Sequence, residues 1–307
     1  MKKILIATTA LAMTATVAAA EVKFSGDARM GLRYNSIAAQ ETQLEKRMTV
    51  NIDGSTTSDN GVTFGARIRL RSDENAATLG AGARVYARAG GLTVAAGNIL
   101  GAIESMPGLY SPSVGLTSLR YAGLVTNTNA KGYFGWDSYT SNGNGAEGIE
   151  AIYSAGDLTV HLSHSSNSLR GIAAPKASLT ALYGSYVVSG WTLALGVQDG
   201  TGKANDKVVA TVGGKIGDYS LGLGLADNDG VMKVAVNASG TWGATTVGGF
   251  IAQEEKSVGF TSATSYGLNV NYNLGGGANI TGGIERSEGG AANTGQTRAD
   301  LGVRFSF

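Results

Sequence analysis

The chain has 307 residues, no cysteine, 47 glycines and only three prolines, with a formal net charge of +1. Without cysteine, a fold held by disulfides is excluded, and the balanced charge gives no indication of nucleic-acid binding. So much glycine disfavours a helical protein and favours many short strands joined by glycine-containing turns.

The first twenty residues predict a secretory signal peptide. Two lysines precede an apolar run, and small residues end the segment in Ala18-x-Ala20, which is the order of a cleaved export signal. We therefore expect residues 1–20 to be signal peptide and residues 21–307 to be the mature chain. In the mature chain no apolar stretch approaches the ~18 residues of a membrane-spanning helix.

Apolar and polar residues alternate from residue 22 onward, and this alternation is the period of a β-strand. The alternating segments, bounded by turn residues, predict sixteen strands: 22–35, 43–53, 61–72, 81–89, 92–98, 148–155, 157–166, 177–188, 191–199, 207–216, 219–226, 231–240, 244–254, 263–273, 277–287 and 297–307.

The third predicted strand indicates what its two faces contact. Arg67, Arg69 and Arg71 occupy every second position, and the positions between them are small or apolar. A membrane barrel turns its apolar face to lipid and its polar face to a water-filled interior. Arginine facing lipid at mid-membrane costs ~2–4 kcal/mol, so three would cost roughly 6–12 kcal/mol. We therefore predict an all-β fold, a transmembrane antiparallel β-barrel with arginines lining its interior.

The connections between the predicted strands differ at the two ends of the barrel. One end has tight glycine turns and the other has longer polar loops, which is typical of outer-membrane barrels. Residues 98–147 form one long irregular stretch, and loops of that length are usually functional. If two weak apolar segments inside this stretch also crossed the membrane, the barrel would have eighteen strands instead of sixteen. Either size leaves an aqueous channel.

Three stretches resemble the general diffusion porins of alphaproteobacteria: the ending ADLGVRFSF, DGSTTSDNGVTFGARIRL, and LTVAAGN before the long irregular stretch. The resemblance covers the whole mature chain and is clearest over residues 50–98. It implies a sixteen-stranded homotrimer in the cell outer membrane, in contact with lipid and lipopolysaccharide. It also implies that residues 98–147 fold inward as a constriction loop, and that the barrel assembly machinery reads Phe307 as an assembly signal.

Seven arginines match the basic wall of this family and share the lumen parity of the first four strands. They are Arg29, Arg33, Arg47, Arg67, Arg69, Arg84 and Arg88. The competing interpretation is that these arginines form a solvated wall without any role in selectivity.

The long loop is poor in acids compared with the family, whose loop supplies carboxylates opposite the basic wall. Between residues 98 and 132 the only acid is Glu104, and the same stretch contains Arg120 and Lys131. Fixed charges in a narrow pore act within a Debye length, ~10 Å at 0.1 M salt. We therefore expect a pore biased toward anions, or at least one that is less cation-selective than its relatives. Two further acids would restore the balance if they reach the constriction: Asp137 and Glu147.

The favoured function is passive diffusion of small hydrophilic solutes and ions through a water-filled channel. One alternative is a substrate-selective channel for anionic nutrients, which the arginine rows would suit. Another is a secreted glycine-rich structural or adhesin protein, although the uneven hairpins lack the fixed repeat period of a solenoid. No cofactor is expected.

Other motifs are weaker. His161, Ser163 and His164 suggest a serine hydrolase, but only His161 and Ser163 share a strand face, and no acidic partner is visible nearby. We expect no enzyme activity. The glycines of residues 143–148 lack the strand and helix of a dinucleotide site. No metal-ligand cluster is present, although a weak surface calcium site at residues 227–230 stays open.

Overall fold

The computed structural model describes residues 20–73, 77–78, 80–110, 114–129, 147–170, 178–201, 206–289 and 295–307. Within these residues the chain forms one antiparallel sheet whose first strand pairs with both the second and the last. The sheet is therefore a closed barrel.

The barrel wall is built from strands of 6 to 16 residues and one two-residue strand. The strands are β1 (Glu21–Asn35), β2 (Thr42–Thr57), β3 (Thr63–Asp73), β4 (Ala77–Thr78), β5 (Arg84–Ala89), β6 (Leu92–Gly97), β7 (Glu147–Ala155), β8 (Leu158–Ser166), β9 (Ser178–Val188), β10 (Trp191–Gly200), β11 (Lys207–Ile216), β12 (Tyr219–Asp227), β13 (Met232–Trp242), β14 (Thr245–Glu254), β15 (Ala263–Gly275), β16 (Ala278–Gly289) and β17 (Gln296–Ser306).

Three short helices complete the described secondary structure: α1 (Ala102–Ser105) and two 3₁₀ helices, Leu119–Gly123 and Asn167–Arg170. None of the helices in the described ranges has the length and apolar character needed to cross a membrane.

Two of the seventeen strands share one position in the wall. Both β4 and β5 pair with β3, β4 beside Arg71 and β5 beside residues 63–67. Between them the Ala81 N–H donates to the Arg69 carbonyl at 2.8 Å, so the chain follows β3 without forming a regular ladder. The wall therefore has sixteen strand positions, and the prediction of sixteen is confirmed. The start of the predicted fourth strand, 81–89, was wrong. Residues 80–83, which include Gly80 and Gly82, are irregular, and β5 begins at Arg84.

Closure of the barrel joins the first and last strands. β1 pairs with β17 from Asp27 to Asn35. Next to the Asp27 end of this ladder, Gly26 and Phe307 exchange two backbone hydrogen bonds, of 2.8 and 3.1 Å. Apart from the two-residue β4, every strand among the described residues pairs on both sides. The wall therefore closes on itself, as a membrane-spanning sheet requires.

The two ends of the barrel differ as predicted. At one end the strands are joined by tight turns, in which Gly156 and Gly217 have φ values of +56° and +58°. Such left-handed conformations favour glycine, and they match the twist of a two-residue hairpin. Connections at the other end are longer.

The most buried part of the molecule is a segment that belongs to no strand. Residues 99–110 and 114–129, here called the inner segment, include Ile99, Ile103, Leu116 and Leu124, each at most 1% exposed. These side chains and their neighbours pack against wall residues such as Phe250 of β14. The apolar core therefore lies between the inner segment and one side of the wall.

Candidate functional site

The inner segment lies inside the barrel. Its residues bond to side chains on well-separated strands: the Ala102 N–H donates to Ser163 of β8 at 2.8 Å, and Thr211 of β11 donates to the Pro107 carbonyl at 2.6 Å. Asp300 of β17 accepts from the same segment. One segment can reach strands this far apart around a closed wall only from within. These side chains therefore mark the inward face.

The register extends this inward face to the predicted arginines. Arg29 donates to the carbonyl of Leu116 in the inner segment at 3.1 Å. Residues directly opposite in neighbouring strands share a face, and Arg29 lies opposite both Arg47 and Arg304. The same reasoning along β1, β2, β3 and β5 gives one surface, here called the arginine face: Arg29, Arg33, Arg47, Arg67, Arg69, Arg71, Arg84 and Arg88.

Several of these arginines have carboxylate partners on the wall itself, which the sequence interpretation did not identify. The Nε–oxygen distances are 2.6 Å for Arg29 with Glu45, 2.6 Å for Arg67 with Asp53 and 2.7 Å for Arg84 with Glu150. The acids sit at inward positions of β2 and β7, and strand parity would have revealed the two on β2, Glu45 and Asp53. Their presence lowers the net positive charge of the arginine face.

Fewer carboxylates lie near the other arginines of this face. Arg47 lies 3.5 Å and Arg304 lies 3.8 Å from the same carboxylate, Asp27. Arg69 and Arg71 lie close enough to Arg47 for mutual electrostatic repulsion. The buried Nε atoms of Arg47 and Arg71 have no hydrogen-bond partner among the described residues. Arg71, which is not among the seven predicted arginines, belongs to this cluster.

Glu150 joins the arginine face to the start of the inner segment. One of its oxygens binds Arg84, and the other accepts from the N–H groups of Leu100 and Gly101 at 3.0 and 3.3 Å. The same oxygen lies 2.9 Å from Nε2 of His161, a ring that is fully buried. Glu150 is itself only 3% exposed. One carboxylate thus connects β5, β7, β8 and the inner segment.

Asp300 holds the middle of the inner segment. It accepts from the N–H groups of Leu116 and Thr117, both at 2.7 Å, and from the Thr117 hydroxyl at 2.6 Å. The preceding Gly115 has φ +69°, and a Cβ there would lie 2.2 Å from the Asp300 oxygen. Only glycine allows the backbone to approach the carboxylate this closely.

Two charged side chains hold the end of the inner segment. Lys233 of β13 is buried and donates to the carbonyls of Ala122 and Asn127 at 3.0 and 2.6 Å. Glu254 of β14 accepts from the backbone N–H of Asn129 at 2.8 Å and from its side-chain amide at 3.2 Å. The inner segment is therefore bonded to the wall along its whole described length.

The predicted loop charges that the structure describes occupy two short helices. Glu104 lies in α1, within electrostatic reach of Arg69. Arg120 lies in the 3₁₀ helix Leu119–Gly123, where its guanidinium stacks 5.0 Å from the ring centre of Tyr110. A carboxylate of the inner segment thus faces the arginine cluster, whereas Arg120 packs against the segment's own aromatic residue.

The three other predicted loop charges are Lys131, Asp137 and Glu147. Lys131 and Asp137 lie outside the described residues. Glu147 begins β7 with the parity opposite to that of Glu150, so it does not share the inward face. In the described part of the loop, Glu104 is therefore the acid nearest to the arginines.

The histidine and serine pattern on β8 is explained by packing. His161 and Ser163 share the inward face as predicted, and both are buried where α1 meets the wall. His164 has the opposite parity, and its Nδ1 lies 2.9 Å from the Thr180 hydroxyl. Ser163 bonds to the inner segment through the Ala102 N–H, so it positions that segment.

Comparisons with known proteins agree with this architecture. The family model described as Gram-negative porin matches residues 7–292. A porin of Fuscovulum blasticum is 27% identical over 306 residues, and one of Rhodobacter capsulatus is 29% identical over 316 residues. Each alignment covers 94% of this chain and 100% of the relative. A triple mutant of the Rhodopseudomonas blastica porin superposes with a TM-score of 0.80 at 26% identity, over 94% of this chain and 100% of that one.

Proposed function

The chain belongs to the Gram-negative porin family and forms a passive diffusion channel in the outer membrane, and we propose that solutes pass between the inner segment and the arginine face. The observation that carries this proposal is the one-sided position of the core. The inner segment packs on the strands around β9 to β14, and it meets the arginine face at a few contacts only. The free space of the interior therefore borders the arginines.

We propose that residues 98–147 act as the constriction loop. Support comes from the inner segment, which combines buried apolar side chains with charged hydrogen bonds to Glu150, Asp300 and Lys233. Hydrogen bonds to charged groups are each worth about 1.5–3 kcal/mol. A segment held in this way sets a constant size limit and does not act as a moving lid.

We propose that the channel prefers small anions, but less strongly than it would if all seven predicted arginines lacked carboxylate partners. Glu45, Asp53 and Glu150 offset part of the positive charge. Asp27 and Asp73 are the wall carboxylates beside the cluster around Arg47 and Arg71, and Asp73 lies directly opposite Arg47. Small hydrophilic solutes and ions pass by diffusion, and the field of this cluster raises the local concentration of anions.

Bilayer recordings test the anion preference. Zero-current potentials under a salt gradient are compared for the wild type, Arg71→Gln and Arg286→Gln. Arg286 lies on the outer face, where it pairs with Glu288 at 2.9 Å, so its variant removes an equal charge outside the lumen. We expect an anion-favouring potential that Arg71→Gln shifts toward cations and Arg286→Gln leaves unchanged. A cation-favouring wild type would contradict the proposal.

We propose a homotrimer whose contact surface lies on β16, β17, β1, β2, β3, β5 and β6. Tyrosine and tryptophan are enriched where a barrel meets the lipid interface. At the tight-turn end of the barrel such residues occur on the outer face between β7 and β15: Tyr153, Tyr186, Trp191, Tyr219, Trp242 and Tyr272.

The outer face of the proposed contact strands differs from this aromatic band. Across its described residues the outer face has no tyrosine or tryptophan at the tight-turn end, and β2 exposes Lys46 outward. A lysine on the lipid face costs up to ~2–4 kcal/mol at mid-membrane. Contact with other subunits would explain both the missing aromatic residues and the outward lysine. Lipid and lipopolysaccharide would then surround the strands from β7 to β15.

We propose that Phe307 serves as the signal for the barrel assembly machinery. Its backbone closes the barrel against Gly26, and its ring lies 6.3 Å from that of Phe305. An exposed aromatic pair at the end of the closing strand is a surface that an assembly factor can bind before closure. Homologues in this family are channels, and we assign no catalytic role to His161 or Ser163.

A further inference from the structure

A polar cavity opens on the interior near the tight-turn end of the barrel. Its volume is about 420 Å³, within the range of small-molecule sites. Polar side chains from six consecutive wall strands line it: Ser239 of β13, Thr246 of β14, Asn269 and Asn271 of β15, Asn279 and Thr281 of β16, Arg304 and Ser306 of β17, and Asp27 of β1. The cavity lies outside the contacts of the inner segment described above.

Neighbouring polar groups in this cavity hold one another in place. The Asn271 amide donates to Asn279 at 3.1 Å, and the Thr281 hydroxyl donates to the Asn271 oxygen at 2.5 Å. A solute that enters the cavity therefore meets oriented side chains and need not order them, which reduces the entropic cost of binding.

Asn269 has an unused hydrogen-bonding group. Its side chain lines the cavity and is only 6% exposed, yet its Oδ1 has no hydrogen-bond partner in the described structure. A Cβ added to Gly248 would lie 3.1 Å from this oxygen, so the glycine makes room for the amide. A buried acceptor without a partner is costly, and a hydroxyl donor from a solute would satisfy it.

The lining of the cavity has one charge of each sign, and its carboxylate, Asp27, also lies 3.5 Å from Arg47. Asp27 and Arg304 are its only charged lining residues among those described, and they lie 3.8 Å apart. Amides and hydroxyls, which donate and accept hydrogen bonds at once, make up most of the remaining lining. This chemistry differs from that of the arginine cluster around Arg47 and Arg71, where positive charge dominates.

We propose that this cavity is a weak binding subsite for neutral polyhydroxylated solutes of monosaccharide size. Sugar hydroxyls donate and accept in the same way as the asparagine and threonine side chains, and Asp27 and Arg304 supply one acceptor and one donor at its edge. The inference rests on the proposed conduction path, since a solute must reach the cavity from the lumen. Weak binding concentrates the solute near the tight-turn end of the channel and still permits its release.

Ion current through single channels in planar bilayers tests the subsite, with glucose as the probe. A polyethylene glycol of equal size, which lacks the hydroxyl array, corrects for viscosity and exclusion. We expect glucose to reduce the current saturably, with a half-saturating concentration that rises about tenfold in the double variant Asn269→Leu/Thr281→Val. Asn237→Ala is the matched control, because Asn237 faces inward on β13 outside this cavity.

The outcomes separate this inference from the channel proposal. Normal conductance with a linear glucose response, equal to that of polyethylene glycol, would overturn the subsite and leave the channel intact. Saturation by inorganic phosphate but not by glucose, lost in the double variant, would overturn it in favour of an anion site. Absence of ion current in the folded wild type would contradict the channel itself. Unchanged conductance of the variants without sugar reports that they are folded.

Discussion

The carboxylate of Asp300 accepts the backbone N–H of Leu116 at 2.7 Å, across 184 residues of sequence. Asp300 belongs to the last strand, and Leu116 belongs to the middle of the inner segment. The middle of that segment therefore gains this contact only when the final strand is in place. Channel geometry and barrel closure are coupled through this contact.

Asp300→Asn is expected to loosen the inner segment. The amide keeps the shape of the side chain but loses the charge and one acceptor oxygen, so the bonds to Leu116 and Thr117 weaken. The expected loss is about 2 kcal/mol of unfolding free energy, since bonds to charged groups are worth about 1.5–3 kcal/mol each. Single-channel recordings should show more open-state noise. Asp227→Asn, at an exposed strand end, should leave the noise unchanged.

Gly115→Ala is expected to displace the same contact from the opposite side. The added Cβ would lie 2.2 Å from the Asp300 oxygen, at a residue with φ +69°, so either the backbone or the carboxylate must move. Thermal unfolding in detergent should occur at a clearly lower temperature. Gly54→Ala is the control, because its Cβ would meet no atom within 4 Å. Equal melting temperatures for the two variants would show that the close approach is unimportant.

Glu150→Gln is expected to destabilise the barrel by about 3–5 kcal/mol, because removing one partner of a buried ion pair leaves the other charge uncompensated. That charge belongs to Arg84, whose side chain is 11% exposed. Adding Arg84→Met should recover part of the loss, and denaturant unfolding measures both. An equal loss in the single and double variants would argue against the pairing as the cause. Glu288→Gln, at an exposed pair, should have no measurable effect.

The proposed subunit contact predicts unequal access to two valines on the outer face. Val85 of β5 and Val236 of β13 are 56% and 48% exposed in the single barrel, and the chain has no native cysteine. A membrane-soluble thiol reagent should label Val236→Cys in the native protein and leave Val85→Cys unlabelled until heat dissociates the subunits. Equal labelling before heating would place the contact elsewhere.

Strand alternation predicted the wall well, because a two-residue period reports directly which side chains face lipid. The seven arginines lie on β1, β2, β3 and β5 at register positions that share one face. The same rule fails for irregular backbone. It could not identify β4, whose two residues are too few to show a period, and it gave no path for the loop.

The sequence did not reveal which carboxylates pair with the arginines, and this was the main omission at the site. Glu150 lies 66 residues from Arg84 in sequence, and nothing local to either residue reveals the pair. Asp53 and Arg67, on strands joined by a turn, were accessible to strand parity once the register was known. These carboxylates offset part of the positive charge that the arginines alone would give.

The sequence alone determined the alternating wall and the shared face of the arginines, since both follow from local periodicity and the cost of charge in lipid. It left sixteen and eighteen strands open, and the family resemblance favoured sixteen. Tertiary structure alone decided which charges cancel and where the inner segment lies. Those features depend on contacts such as Asp300 with Leu116 and Glu150 with Arg84. Their partners are distant in the chain and become neighbours only when the sheet closes into a barrel.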